Sequence, residues 1–207
     1  GGPGAGPVAV NDKLSKFLPN PNIIYNSSKN IYDFEYLSDS IGNLHTFNGN
    51  FGVLIRAFIY ILSHGKNGLK DISHLAVLNA NYLKHLLLKK YNVPFPEGTL
   101  HEFVISAQKQ KSKGINALNI AKNLLDYGFH APTIYFPTNV PESMMIEPTE
   151  TETKETLEEF AARMNFINDN IDKKMDEFLN APYETPVRRL NETKANRELD
   201  IRWNIKD

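Results

Sequence analysis

Six histidines, a run of carboxylates and two glycine-bearing loops are the side chains and turns in this sequence that could do chemistry. His45, His64, His74 and His85 lie in a loop or on expected helices, and none has a partner at metal-ligand spacing. His101 in "HEF" and His130 in "HAPT" each adjoin an expected strand, where an imidazole can stack on or bond to a ligand. A satisfied structural histidine is the competing reading for both. "IEPTETE" brings Glu147, Glu150 and Glu152 together. Paired carboxylates do acid–base work, but at a helix start they compensate the dipole. That role suits Glu150 and Glu152, whereas Glu147 ends a strand before a proline and stays a candidate. Arg188–Arg189 could grip an anion, although docking of the tail explains the pair as well.

The chain opens "GGPGAGP", with four glycines and two prolines in seven residues. Glycines permit close backbone approach to a phosphate. A dinucleotide loop also needs a preceding strand and a helix directly after, and that spacing fails here. "GKNG" around Lys66 lacks the leading glycine and the hydroxyl residue of a phosphate-binding P-loop. A nucleotide site is therefore unsupported.

The elements that must position these residues change character along the chain. Asn11 is placed to cap a short helix, "NIIYN" (22–26) reads as a strand, and the following polar stretch reads as a loop or hairpin. "FGVLIRAFIYIL" (51–62) is apolar nearly all round, the mark of a helix buried on most faces, often at a subunit contact. It is too short for a membrane span and contains Arg56. Gly65 is placed to end it. The next helix repeats Leu69, Ile72, Leu75, Ala76, Leu83, Leu86 and Leu87 at three- and four-residue steps. "HEFVIS", "TIYF" and "SMMIEP" read as strands and "INALNIAKNLLDYG" as a helix. A long helix follows, with Thr149 and Glu152 as its expected capping box. This order predicts a small α/β layer, helices on one face of an antiparallel or mixed sheet.

Composition narrows the class. At 207 residues and 41% hydrophobic content the chain can build a real core. Net charge is −1, so no basic field announces nucleic acid or an anionic membrane. With no cysteine there is no thiol nucleophile, disulfide or zinc–thiolate site. A soluble, cytoplasmic protein is the expectation.

Several segments together resemble one family: "GGPGAGPVAV", "FNGNFGVLIRAF", "AVLNANYL", "HEFVIS", "ALNIAKNLLDYGFHAPTIYFP", "MMIEPTETETKETLEEF" and "APYETPVRRL". In order, they resemble the C-terminal part of glycine decarboxylase, the P-protein of the glycine cleavage system. The closer likeness is to the second subunit of its two-subunit bacterial form. The resemblance implies a pyridoxal-phosphate enzyme of the aspartate-aminotransferase-like fold (fold type I). It implies decarboxylation of glycine and transfer of the aminomethyl group to the lipoyl arm of the H-protein. It implies glycine decarboxylase subunit 1 and the H-protein as partners, within a homo- or hetero-oligomer. Residues 1–66 would be a remnant of the large cofactor-binding domain. Residues 67–207 would be the small α/β domain, with an inter-domain helix and an extended tail. By the same resemblance Gly1, Gly2, Gly4, Gly49 and Asn50 rim the cofactor site. His101, His130, Thr133 and Glu147 face the substrate. The family's Schiff-base lysine precedes the glycine-rich loop, and no lysine of these 207 residues stands there. The expectation is that this polypeptide alone is inactive. A non-catalytic module binding partner subunits is the alternative, and a fold type I enzyme for another amino acid is a third.

Overall fold

Local turn chemistry and apolar spacing build two separate units in the computed structural model, which describes residues 4–203; one unit ends at Leu69 and the other begins at Lys70.

In the first unit Asn11 caps α1 (Asp12–Ser15), its side-chain oxygen accepting from the Leu14 N–H at 3.3 Å. Strands β1 (Asn22–Asn26) and β2 (Ile31–Glu35) pair antiparallel from Asn22↔Glu35 to Asn26↔Ile31. Asn26 accepts the Ser28 and Lys29 N–H groups across the turn, the local bonding that makes asparagine a turn former. Helix α2 (Phe51–Leu87) starts here and is broken at Gly65, whose φ of 62° and ψ of −175° are not helical.

Among the described residues nothing covers the apolar helix, which leaves its expected burial to a subunit contact. Phe58 is 58% exposed and Leu62 65%, and no described residue before Ala80 is fully buried. A four-residue helix and one hairpin supply too little apolar surface to cover such a helix.

All the core lies in the second unit, between Ala80 and Ala181. From the predicted stripe of α2, Leu83 and Leu87 are buried, joined by Ala80, while Leu75 is exposed. The chain then forms β3 (Phe103–Ser106), α3 (Gln108–Lys111), α4 (Ala117–Asp126), β4 (Thr133–Ile134), β5 (Ser143–Ile146), α5 (Lys154–Asn170), α6 (Met175–Asn180) and α7 (Glu192–Arg197). The strands make an antiparallel sheet in the order β3-β5-β4. Asn116 and Asn119 form a reciprocal capping box at α4, and Gly128, at φ 77°, closes its other end. Leu157, Ala161, Met164, Ile167 and Ile171 form the buried stripe in and just beyond α5, as their spacing predicts. Helix α2 is tied to α5 by Tyr82, which donates to Glu158 at 2.6 Å, and the segment after it by the buried Tyr91 hydroxyl, which donates to Met164 O at 2.8 Å.

Two local expectations fail for tertiary reasons. The N-cap of α5 is Thr153, four residues beyond Thr149. Asn79 Nδ2 donates to the Thr149 and Glu152 carbonyls, at 2.9 and 3.1 Å, and holds that stretch as a loop. Strand β4 stops at Ile134 because Tyr135 takes φ 61°, outside the strand region.

Candidate functional site at one end of the sheet

Antiparallel pairing on both sides of β5 makes β3 and β4 run in the same direction. Their N-terminal ends therefore meet the C-terminal end of β5 at one edge of the sheet. Phe103 faces Ile146 across one pairing and Thr133 faces Met145 across the other. His101 lies two residues before β3, His130 and Thr133 lie at the entry to β4, and Glu147 directly follows β5. Topology thus brings four residues, spread over 47 positions of sequence, to one sheet end. All four are exposed, and none of their side chains makes a hydrogen bond or ion pair among the described residues. They are open to a ligand.

The loops flanking this end are held by α2. Asn81 Nδ2 donates to Thr99 O at 3.1 Å. Lys84 Nζ donates to Pro96 O at 2.7 Å and to the Thr99 hydroxyl at 2.8 Å. Asn79 holds the loop after Glu147, as described above. No chemical motif marks these three in the sequence, because polar residues inside a helix ordinarily form its solvated face. The available signal was their place beside Ala80, Leu83 and Leu87, on the buried part of the helix.

The opposite end of the sheet is built around Glu142, just before β5. Its buried carboxylate accepts Lys111 Nζ at 2.6 Å and the Ala117 N–H, at the start of α4, at 2.9 Å. The bond to Glu142 raises the Lys111 pKa above the ordinary lysine value. Burial pushes the Tyr91 hydroxyl up as well. A cavity of about 460 Å³ beside α4 is lined by Leu118, Lys122, Arg189 and Glu192, and contains none of the four sheet-end residues. Arg189 Nε donates to Ala181 O at 2.8 Å and the Arg188 guanidinium stacks on Tyr183, so the arginine pair docks the tail. His64 packs against the Tyr60 ring, and no group of three potential metal ligands forms among the described residues.

Of the residues expected at the cofactor, Gly1 and Gly2 lie outside the described residues. Gly4, Gly49 and Asn50 belong to the first unit. Nothing comes within 4 Å of a Cβ built at Gly4 or Gly49, and Gly49 holds φ 70°. The Asn50 carbonyl accepts the Leu54 N–H, which begins the bonding of α2. Open glycine backbone beside a helix start suits a phosphate. It does not hold the pyridine ring or provide the covalent amine, so these residues fit the rim of a cofactor site rather than the whole of it.

The arrangement is a small α/β domain of helices and a three-stranded antiparallel sheet, as the resemblance to fold type I enzymes implies. It aligns with the crystal structure of glycine decarboxylase, the P-protein of the glycine cleavage system, in inhibitor-bound form. The TM-score is 0.61 at 16% identity, over 75% of this chain and 37% of that one. Residues 72–187 match the family described as glycine dehydrogenase, C-terminal domain, and the chain belongs to that family. A protein of Chloroherpeton thalassium named probable glycine dehydrogenase (decarboxylating) subunit 2 is 49% identical over 210 residues. That match covers 100% of this chain and 43% of the relative. The protein of the same name from Staphylococcus epidermidis is 50% identical over 98% of this chain and 40% of its own length. The chain thus spans less than half of these relatives. No described helix is long and apolar enough to cross a membrane.

Proposed function

We propose that this chain is the C-terminal region of subunit 2 of a cytoplasmic glycine decarboxylase. It would work with subunit 1, pyridoxal phosphate and the lipoyl H-protein. The observation that carries the reading is the gathering of His101, His130, Thr133 and Glu147, open and without side-chain partners among the described residues, at one sheet end. Glycine presents a carboxylate, which needs donors, and an ammonium, which needs an acceptor. The two imidazoles and the Thr133 hydroxyl suit the first, and Glu147 suits the second. Pyridoxal phosphate, bound in the complete enzyme, supplies the electron sink that lets the carboxylate leave as carbon dioxide. On this reading the aminomethyl group would go to the lipoyl arm of the H-protein.

On this reading residues 1–66 belong to the large domain, where Gly1, Gly2, Gly4, Gly49 and Asn50 would rim the cofactor site. Residues 67–207 form the small domain. The exposed apolar helix would be covered in the assembly by the rest of the large domain or by a partner subunit. These 207 residues alone would be inactive, since the family's lysine is not among them. Adding pyridoxal phosphate to them should give no stoichiometric cofactor absorbance band and no glycine decarboxylation.

The test of the site is His101→Ala and His130→Ala in the complete two-subunit enzyme. Loss of one hydrogen bond to a charged group costs about 1.5–3 kcal/mol, or roughly 10- to 150-fold in kcat/KM for glycine. Circular dichroism should stay unchanged. Normal kinetics in both variants would reject the assignment. The exposure of Phe58 and Leu62 favours a second reading, a module that binds partner subunits without catalysis. In that case no substitution at the sheet end alters glycine turnover, while Phe58→Asp prevents assembly.

A further inference from the structure

We propose that Asn79, Asn81 and Lys84 are positioning residues of the glycine site. Together they fix, from one stretch of α2, the two loops that carry His101 and Glu147. This rests on the reading of those two residues given above.

Lys84 is 9% exposed. Its ammonium has two neutral acceptors and joins no ion pair among the described residues. A buried charge without a counter-ion is costly, and a methionine of similar reach would pack beside Leu83 and Leu87 without that cost. What the lysine adds is its grip on the segment that leads to His101. That segment, "PFPEGTL" (94–100), has no regular structure of its own. Thr99, two residues before His101, is held at both its carbonyl and its hydroxyl.

On the other side Asn79 holds Thr149 and Glu152, two and five residues beyond Glu147. The sheet fixes the strand-side end of each loop, through Phe103↔Ile146. The α2 side chains fix the far end. His101 and Glu147 therefore each sit on a short piece of chain anchored at both ends, which is what a preorganised site needs. A displacement of about 1 Å in such a site can cost 10²-fold in rate.

The experiment uses the complete two-subunit enzyme with Lys84→Met, Lys84→Arg, Asn79→Leu and the milder Thr99→Val, alongside wild type and His101→Ala. Steady-state kinetics are measured against both glycine and H-protein, with amide hydrogen exchange across 96–102 and 147–153. The expected result for Lys84→Met and Asn79→Leu is a rise of about 10-fold or more in KM for glycine. The KM for H-protein should be unchanged, and exchange should quicken in the loop concerned. Lys84→Arg should recover most of the loss. If Lys84→Met does not fold, Thr99→Val carries the same test with a smaller effect. Faster exchange with unchanged glycine kinetics would overturn the inference. So would a kinetic loss in Lys84→Met when His101→Ala is normal. A wild-type enzyme without glycine turnover would instead remove the functional reading itself, and this inference with it.

Discussion

Replacing Glu142 with alanine should cost the second unit about 2–4 kcal/mol, through a carboxylate far from the proposed substrate residues. Its side chain is 7% exposed and accepts the Ala117 N–H at 2.9 Å. Truncation leaves that buried donor unpaired, at about 1–3 kcal/mol. It also removes an anion from the N-terminus of α4, worth about 0.3–1 kcal/mol or somewhat more when partly buried. Glu142 keeps φ 51° in the native chain, and alanine inherits that strain, so it does not enter the difference. Against a domain stability of about 5–15 kcal/mol, the loss should lower Tm by roughly 5–15 °C. Urea unfolding followed by far-UV circular dichroism is the assay, because Trp203, the one tryptophan, lies exposed in the tail and reports little on the core. Two controls sharpen the comparison. Glu142→Gln keeps an acceptor for Ala117 and should lose much less. Lys111→Met should destabilise as well, because it leaves the buried Glu142 carboxylate without its cation. A loss below about 1 kcal/mol in Glu142→Ala would refute the reasoning. So would a Glu142→Gln variant as unstable as Glu142→Ala.

Asn123→Ala should cost about 1–3 kcal/mol and loosen the tail, since the buried Nδ2 donates to Phe178 O at 2.9 Å and to Asn119 O at 2.7 Å. Urea unfolding with limited proteolysis across 181–190 checks it, and wild-type stability with an uncut tail would count against it. Acid should expose the Asp169 contact. The bond from Lys90, with a second from Asn168, holds the Asp169 pKa below the ordinary aspartate value of 3.8. Its contribution is therefore present above 3.8 and is lost as pH falls through the depressed native value. Asp169→Asn should flatten that limb of the stability–pH curve. Because the pair is exposed, 1 M salt should shrink the difference, and an unchanged acid limb in the variant would contradict the assignment.

Much of the second unit could be read from spacing alone. The three-and-four repeat ending in Leu83 and Leu87, the stripe from Leu157 to Ile171 and the strands at 103–106 and 143–146 are local patterns. Burial simply follows them. The failures have a common cause. The Thr149 cap lost its place to Asn79, 70 residues away, which captured carbonyls the helix would have used. Glu142 gave no motif, because its partners Lys111 and Ala117 lie 31 and 25 residues upstream and meet it only after β5 is paired. Helix 51–62 carries a pattern that demands burial, and nothing among the described residues supplies it.

By itself the sequence determined which residues could do chemistry, the family they resemble and the periodicities that make each helix and strand. Those depend on residue type and near neighbours, which one dimension records. Tertiary structure decided that His101, His130, Thr133 and Glu147 share one end of a sheet, and that Asn79, Asn81 and Lys84 hold the loops beside it. Strand order and direction follow from packing across the whole domain, and no local spacing encodes which strand ends will meet.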